Sequence, residues 1–241
     1  MQFRNLQAAA VERKGGQGAL DALMPRVRTK TELAELSDDL VLACMTKVVN
    51  RVQFSWEVVE KKWSQFEEAF LVFNVDALTG LSDEEWDAYA HDKRIVRSGP
   101  KIRATRSNAY FVADVAERYG SFGQFLAGWP SDDQIGLMAH LKKCGGRLGG
   151  QTGQWVLRMV GWDAFVLTPD VVSALKYAGC DIAENPSSKR DLAAIQSAFN
   201  AWHEQSGLPY AHISRTVACA VGEDLDNEHI IDQAKRFFET N

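Results

Sequence analysis

Apolar residues recur every three or four positions along almost the whole chain, and that spacing leaves few folds open. Phe3, Leu6, Ala10 and Val11 fall on one helical face. So do Leu40, Val41, Cys44, Met45, Val48 and Val49, and again Trp56, Val59, Trp63, Phe66 and Phe70. The punctuation is that of helices. Ser37 reads as a cap, Ser82-Asp83-Glu84-Glu85 as a capping box, and Ser131 as the cap of a helix over Ile135–Lys143. Gly15-Gly16 and Gly120 read as stops. A final helix is expected from Asn227 to Glu239. No stretch alternates with period two and β-branched enrichment. The expectation is an all-α protein of about ten to twelve helices, a single domain over residues 1–241.

At 46% hydrophobic, 241 residues can bury a substantial core. The apolar runs are short, Ala164–Leu167 among the longest, so no transmembrane helix is expected. The opening Met1-Gln2-Phe3-Arg4-Asn5-Leu6 lacks the apolar stretch of a secretory leader. The cysteines at 44, 144, 180 and 219 form no CxxC pair. Together these point to a cytoplasmic, monomeric protein that keeps away from membranes.

The net charge of −5 conceals an asymmetry. Between Lys93 and Arg158 stand eleven basic residues, Arg97 and Lys101 among them, against Asp114, Glu117, Asp132 and Asp133. A basic middle in an acidic chain suits a polyanion on one face. The bland alternative is a solvated helix face whose charges pair with acidic neighbours.

Within that segment lies the motif richest in chemistry, Leu141-Lys142-Lys143-Cys144-Gly145-Gly146-Arg147-Leu148-Gly149-Gly150-Gln151-Thr152-Gly153-Gln154-Trp155. It reads as helix, tight glycine turn, helix. Glycines admit positive φ and close backbone approach. The next helix would open with outward amides near Thr152 and Gly153, a ready phosphate site, with Lys142, Lys143 and Arg147 beside it. The plain alternative is a helix stop followed by a turn.

Several blocks then fall in a recognisable order. They are Phe54-Ser55-Trp56, Phe66-Glu67-Glu68-Ala69-Phe70, Ile95-Val96-Arg97 with Lys101-Ile102, Ala104 and Asn108-Ala109, and the Leu141-Lys142-Lys143 hairpin with Gly145, Gly150 and Thr152. Over about residues 38–180 the chain resembles the 3-methyladenine DNA glycosylase I family, of the helix-hairpin-helix DNA glycosylase superfamily. The resemblance implies a glycosylase-like core at 38–180, with the hairpin at about 135–160 and helical additions at 1–35 and 181–241. It implies a DNA repair enzyme that binds double-stranded DNA, flips out an alkylated base and hydrolyses its glycosidic bond. Trp56 would stack on the base, with Phe54 and Asn50 lining the pocket. Gly149, Gly150, Thr152, Gly153, Lys142, Lys143, Arg147, Arg97 and Lys101 would meet DNA.

The pattern departs from the family in three places. The family's base-recognising Glu falls on Val48, and its pair of glutamines on Asn50-Arg51. No Cys or His precedes Cys44, so the family's zinc site has no counterpart. Neither a metal nor any other cofactor is expected, and His203, His212 and His229 read as surface or capping residues. Another acid is available. Superfamily members hold a catalytic Asp soon after the hairpin, and Asp170 stands at about that place; the alternative is that it only serves a helix start. Two other functions stay open: a non-catalytic DNA-binding relative, and a helical protein-interaction module.

Overall fold

The computed structural model describes residues 2–52 and 56–222, with backbone alone at 56–58. Among the described residues there are helices and loops and no strands. Fourteen α-helices are present, more than the ten to twelve expected. Val75–Thr79 (α6) is too short to carry a full apolar period and is not marked by the sequence, whereas the equally short Gln17–Asp21 (α2) and Lys30–Ala34 (α3) fall where the sequence reads as short helices. Gly128 ends a helix that begins at Phe122, and the helix expected over 227–239 lies outside the described residues.

The described residues gather into two compact units. The terminal unit holds those among 1–28, 130–137 and 157–222. Its helices include Phe3–Arg13 (α1), Pro169–Tyr177 (α12), Lys189–Ser206 (α13) and Tyr210–Val221 (α14). α1 and α12 both pack on α14. Phe3, Leu6 and Ala10 are buried there as the periodicity predicts, beside Phe165, Phe199 and Trp202. Phe165 stacks on Phe199 with ring centroids 4.2 Å apart.

The apolar run Ala164–Leu167 is neither helix nor strand; it is a buried extended segment. Its backbone groups need partners, because an unpaired buried amide or carbonyl is costly. Side chains supply them. Gln134 donates to Phe165 O and accepts from Phe165 N, each at 2.7 Å. Ser214 Oγ accepts from Val166 N at 3.0 Å. Arg158 donates to Ala164 O. Burial pulls the Arg158 pKa down to about 9. The neighbouring Asp163 carboxylate accepts from Tyr210 N and Ala211 N and so opens α14; burial raises its pKa.

The central unit holds residues 29–52, 56–129 and 138–156. Besides α3 and α6 it contains Asp38–Arg51 (α4), Trp56–Ala69 (α5), Asp83–Ala88 (α7), Gly99–Tyr119 (α8) and Phe122–Gly128 (α9). Ser37 Oγ accepts from Leu40 N, and the capping box at Ser82 forms with both of its bonds. α4 packs along α8, burying Val41, Leu42, Met45 and Val49 against Ile102, Ala109 and Val112. α3 crosses α9 so closely that a Cβ at Gly123 would stand 2.3 Å from Leu33 O. Phe66, Phe70, Phe73, Trp63, Trp86 and Tyr89 form a second aromatic packing zone.

The hairpin helices are Gln134–Cys144 (α10) and Gln151–Met159 (α11). Ser131 does not cap α10. That place is taken by Asp133, whose Oδ1 accepts from Gly136 N at 2.9 Å, three residues from the helix start as a capping carboxylate requires.

His140 on α10 packs among Phe111, Phe125 and Trp129. Burial, then the charges of Lys143 and Arg118, hold its pKa below the ordinary value. The unfolded chain therefore takes up the proton first as pH falls. Stability from this residue is complete above about pH 6.5 and is lost as pH drops through the lower folded pKa. A His140→Phe variant is expected to show a shallower loss of stability between neutral pH and about pH 5 than the wild type. Urea midpoints measured across that range check it, and parallel curves would refute it.

Candidate functional site

The hairpin turn spans residues 145–150, and its glycines do different work. A Cβ at Gly146 would meet the backbone of Ala104 at 2.9 Å, and one at Gly153 would meet Leu148 O at 2.5 Å. These two glycines are required by close packing against α8 and within the turn. Gly149 faces the Lys142 side chain, 3.3 Å from where its Cβ would stand. Gly150 has φ +59° and open space around it. Arg147 has φ +61°, a strained conformation for a side chain of that size.

Asn108 fastens the turn to α8. It is fully buried, its Oδ1 accepts from Gly146 N at 2.7 Å, and its Nδ2 donates to Gly146 O at 3.2 Å. Both polar groups of one turn residue are thus satisfied by one side chain. The sequence carried this signal only as part of the Asn108-Ala109 block.

With the turn fixed, the start of α11 is fixed too. The amides of Thr152 and Gly153 fall in its first turn, where helix geometry offers no intrahelical acceptor. Val49 and Val52 at the end of α4, with Arg147, Gly149 and Thr152, line a cavity of about 290 Å³.

The charges of the basic segment sort into three groups. Arg94, Arg106 and Arg118 are in ion pairs with Asp92 and Glu68, Asp83, and Asp114. Lys101 and Arg158 are buried. Lys93, Arg97, Arg103, Lys142, Lys143 and Arg147 are exposed, and none has an ion-pair partner among the described residues. Three of these stand on the hairpin, and Arg103 is on the α8 turn next to Ala104. Their charge is available to an anion outside the protein.

Lys101 corrects the sequence reading, which set it among the exposed contacts to DNA. It is 4% exposed. Its Nζ donates to Asn50 O at 2.8 Å and Val52 O at 2.6 Å, the terminal carbonyls of α4. The cause is local: the first turn of α8 lies against the end of α4, whose last carbonyls lack intrahelical donors. Burial and then the Arg147 charge pull the Lys101 pKa down to about 8.

Around the expected base pocket, Val48 is buried at 3% exposure and Asn50 at 2%. The Asn50 amide donates back to Thr46 O at 2.9 Å. Position 56 opens α5; the Trp56 side chain and Phe54 lie outside the described residues. One turn after position 56, Glu60 forms an ion pair with Lys47 at 2.9 Å. Lys47 also sits 4.8 Å over the Trp63 ring. Burial holds the Arg51 pKa near 9, with Glu60 acting against that shift. Sequence reasoning missed this pair, since nothing in spacing marks a Lys on an apolar helix face as buried and paired.

Asp170 is the second residue of α12, in the terminal unit, and is partly exposed. The side chain of Thr168 caps that helix by accepting from Val171 N. The Asp170 Cγ stands 3.0 Å from where a Cβ on Gly222 would be. His203 and His212 contact the carbonyls of Leu208 and Pro25, and His229 lies outside the described residues. Among the described residues no three His, Cys, Asp or Glu side chains gather as a metal site.

Residues 34–144 match the family model of methyladenine glycosylases. Over that stretch, a little under half of its length, the chain is similar to methyladenine glycosylases. Three solved structures are similar to it, each at 20% identity. One is a 3-methyladenine DNA glycosylase I, with 53% of this chain and 80% of that one covered and a TM-score of 0.46. A point variant of 3-methyladenine DNA glycosylase I in complex with 3-methyladenine covers 68% and 88%, with a TM-score of 0.46. The 3-methyladenine DNA glycosylase I from Staphylococcus aureus covers 75% and 100%, with a TM-score of 0.48. No curated protein matches the chain. The match stops at Cys144, just before the glycine turn. The turn and α11 therefore rest on their own geometry. No helix of the described residues is long and apolar enough to cross a membrane.

Proposed function

We propose that the chain is a DNA glycosylase that grips duplex DNA with the α10–α11 hairpin and hydrolyses the N-glycosidic bond of an alkylated purine, 3-methyladenine in the first instance. The observation that carries this reading is the hairpin: a turn pinned by Asn108, and exposed cations without acidic partners among the described residues. A grip on the backbone fixes register on DNA and carries no sequence information. The flipped base would stack on Trp56, whose ring attracts the positive charge of an alkylated purine. Loss of that cationic base leaves positive charge on the sugar, which water then captures; Asp170 is the carboxylate we propose to stabilise it. Incubation with methylated duplex DNA and chromatography of the released bases tests the reading. Free 3-methyladenine is the expected product, and its absence under conditions of full DNA binding would overturn it.

The buried Val48 favours a second reading, a non-catalytic relative that binds DNA and releases nothing. The same experiment separates the two, since that protein would bind the duplex and leave the base attached.

Charge reversal at Arg97 and Arg147 is expected to weaken duplex binding by either reading. The dependence of affinity on salt should flatten by about 0.9 log units per lost phosphate contact. Affinities measured at several salt concentrations check this, and an unchanged slope would mean these cations face only solvent.

A further inference from the structure

Three parts of the central unit meet at one ammonium. Lys101 projects from the first turn of α8, and its Nζ donates to Asn50 O and Val52 O. Those two carbonyls end α4, and Val52 leaves the helix with ψ 119°. Arg147 of the hairpin turn acts on the same ammonium through its charge. Val49 and Val52 share a cavity with Arg147, Gly149 and Thr152, so the end of α4 and the hairpin turn face each other across it.

A lysine suits this place. Its ammonium carries rotatable donors that serve two carbonyls at once, and its charge complements a helix C-terminus. The bond to Val52 O lies beyond the last helical residue, where the helix itself no longer dictates the path of the chain. The ammonium therefore sets where α4 stops. It does so from α8, the same helix that holds the hairpin turn through Asn108.

We propose that Lys101 is a positioning residue that fixes the end of α4, and with it Asn50, at a set distance from the hairpin. The inference rests on the functional reading above, in which the hairpin holds a phosphate and a flipped base is received, here beside Asn50 at the end of α4. A flipped base and a gripped backbone belong to one strand, so their separation decides whether the glycosidic bond is presented correctly. Small errors in such a distance cost rate far more than affinity. Lys101 itself touches no substrate.

The test uses the full chain with Lys101→Met, which keeps the length and removes the charge, and Lys101→Arg, which keeps a cation. Three quantities are measured for each: affinity for undamaged duplex, preference for a duplex with an abasic-site analogue, and single-turnover base release at saturating protein. For Lys101→Met, affinity for undamaged duplex is expected to stay within about two-fold of wild type. Base release should fall about 10-fold or more, and the abasic preference should shrink. Lys101→Arg should recover part of the release. Wild-type release by Lys101→Met overturns the assignment, as does an equal loss of binding and release that Lys101→Arg leaves unrepaired. A wild type that neither releases base nor prefers the abasic duplex overturns the functional reading, and this assignment with it.

Discussion

Base release by an Asp170→Asn variant is expected to fall by about 10²-fold or more, with affinity for duplex DNA held within about two-fold. The substitution keeps size and removes charge. Capping of α12 does not depend on it, because Thr168 already accepts from Val171 N. An ionised carboxylate attracts the sugar most strongly when positive charge has built up in the transition state. It therefore raises turnover more than binding. Rates under single-turnover conditions and a parallel binding titration decide the matter. If release persists and the variant merely loses about 0.5–1 kcal/mol of stability, Asp170 serves the helix start and the acid must be sought elsewhere.

Substitution of Gly153 or Gly146 by valine should be the most damaging change to the hairpin. A side chain at either position begins within 3 Å of backbone atoms, Leu148 O in one case and Ala104 in the other. Backbone has little room to yield, and overpacking of this kind costs about 1–3 kcal/mol. Urea unfolding should show that loss, and duplex affinity should drop with it as the turn is displaced. Gly150→Ala is the matched control. Its Cβ meets nothing within 4 Å, so only the positive φ opposes it, at about 1 kcal/mol. Equal stability of the valine and alanine variants would refute the packing argument. Gly150, which the sequence marks as readily as the others, has open space around it, and Gly149 meets only the flexible side chain of Lys142.

Much of the molecule was legible in order of residues. Helical periodicity placed Val41, Cys44, Met45, Val49, Trp63 and Phe66 in cores, because a buried helix face must repeat at 3.6 residues whatever it packs against. Ser37 and Ser82 cap where their positions predicted, because capping is a bond between near neighbours. The blocks that carry the family resemblance were also visible as local strings, and the family match covers the Trp56 block, the Phe66–Phe70 block, the run from Ile95 to Ala109, and the lysines before the turn.

Charge and partnership were decided elsewhere. Eleven basic residues looked alike in sequence, yet the fold pairs three, buries two and leaves six exposed. Lys101 became internal because α8 lies against the end of α4 and two carbonyls there needed a donor. Lys47 found Glu60 across a helix pair. Ala164–Leu167 stayed outside any helix because Gln134 and Ser214 reached its backbone from distant parts of the chain, with Arg158 joining them from six residues away. Periodicity and capping depend on separations of a few residues, so the sequence determines them. Burial of a charge depends on which groups from remote segments stand within about 3 Å of it, and only the tertiary structure brings those groups together.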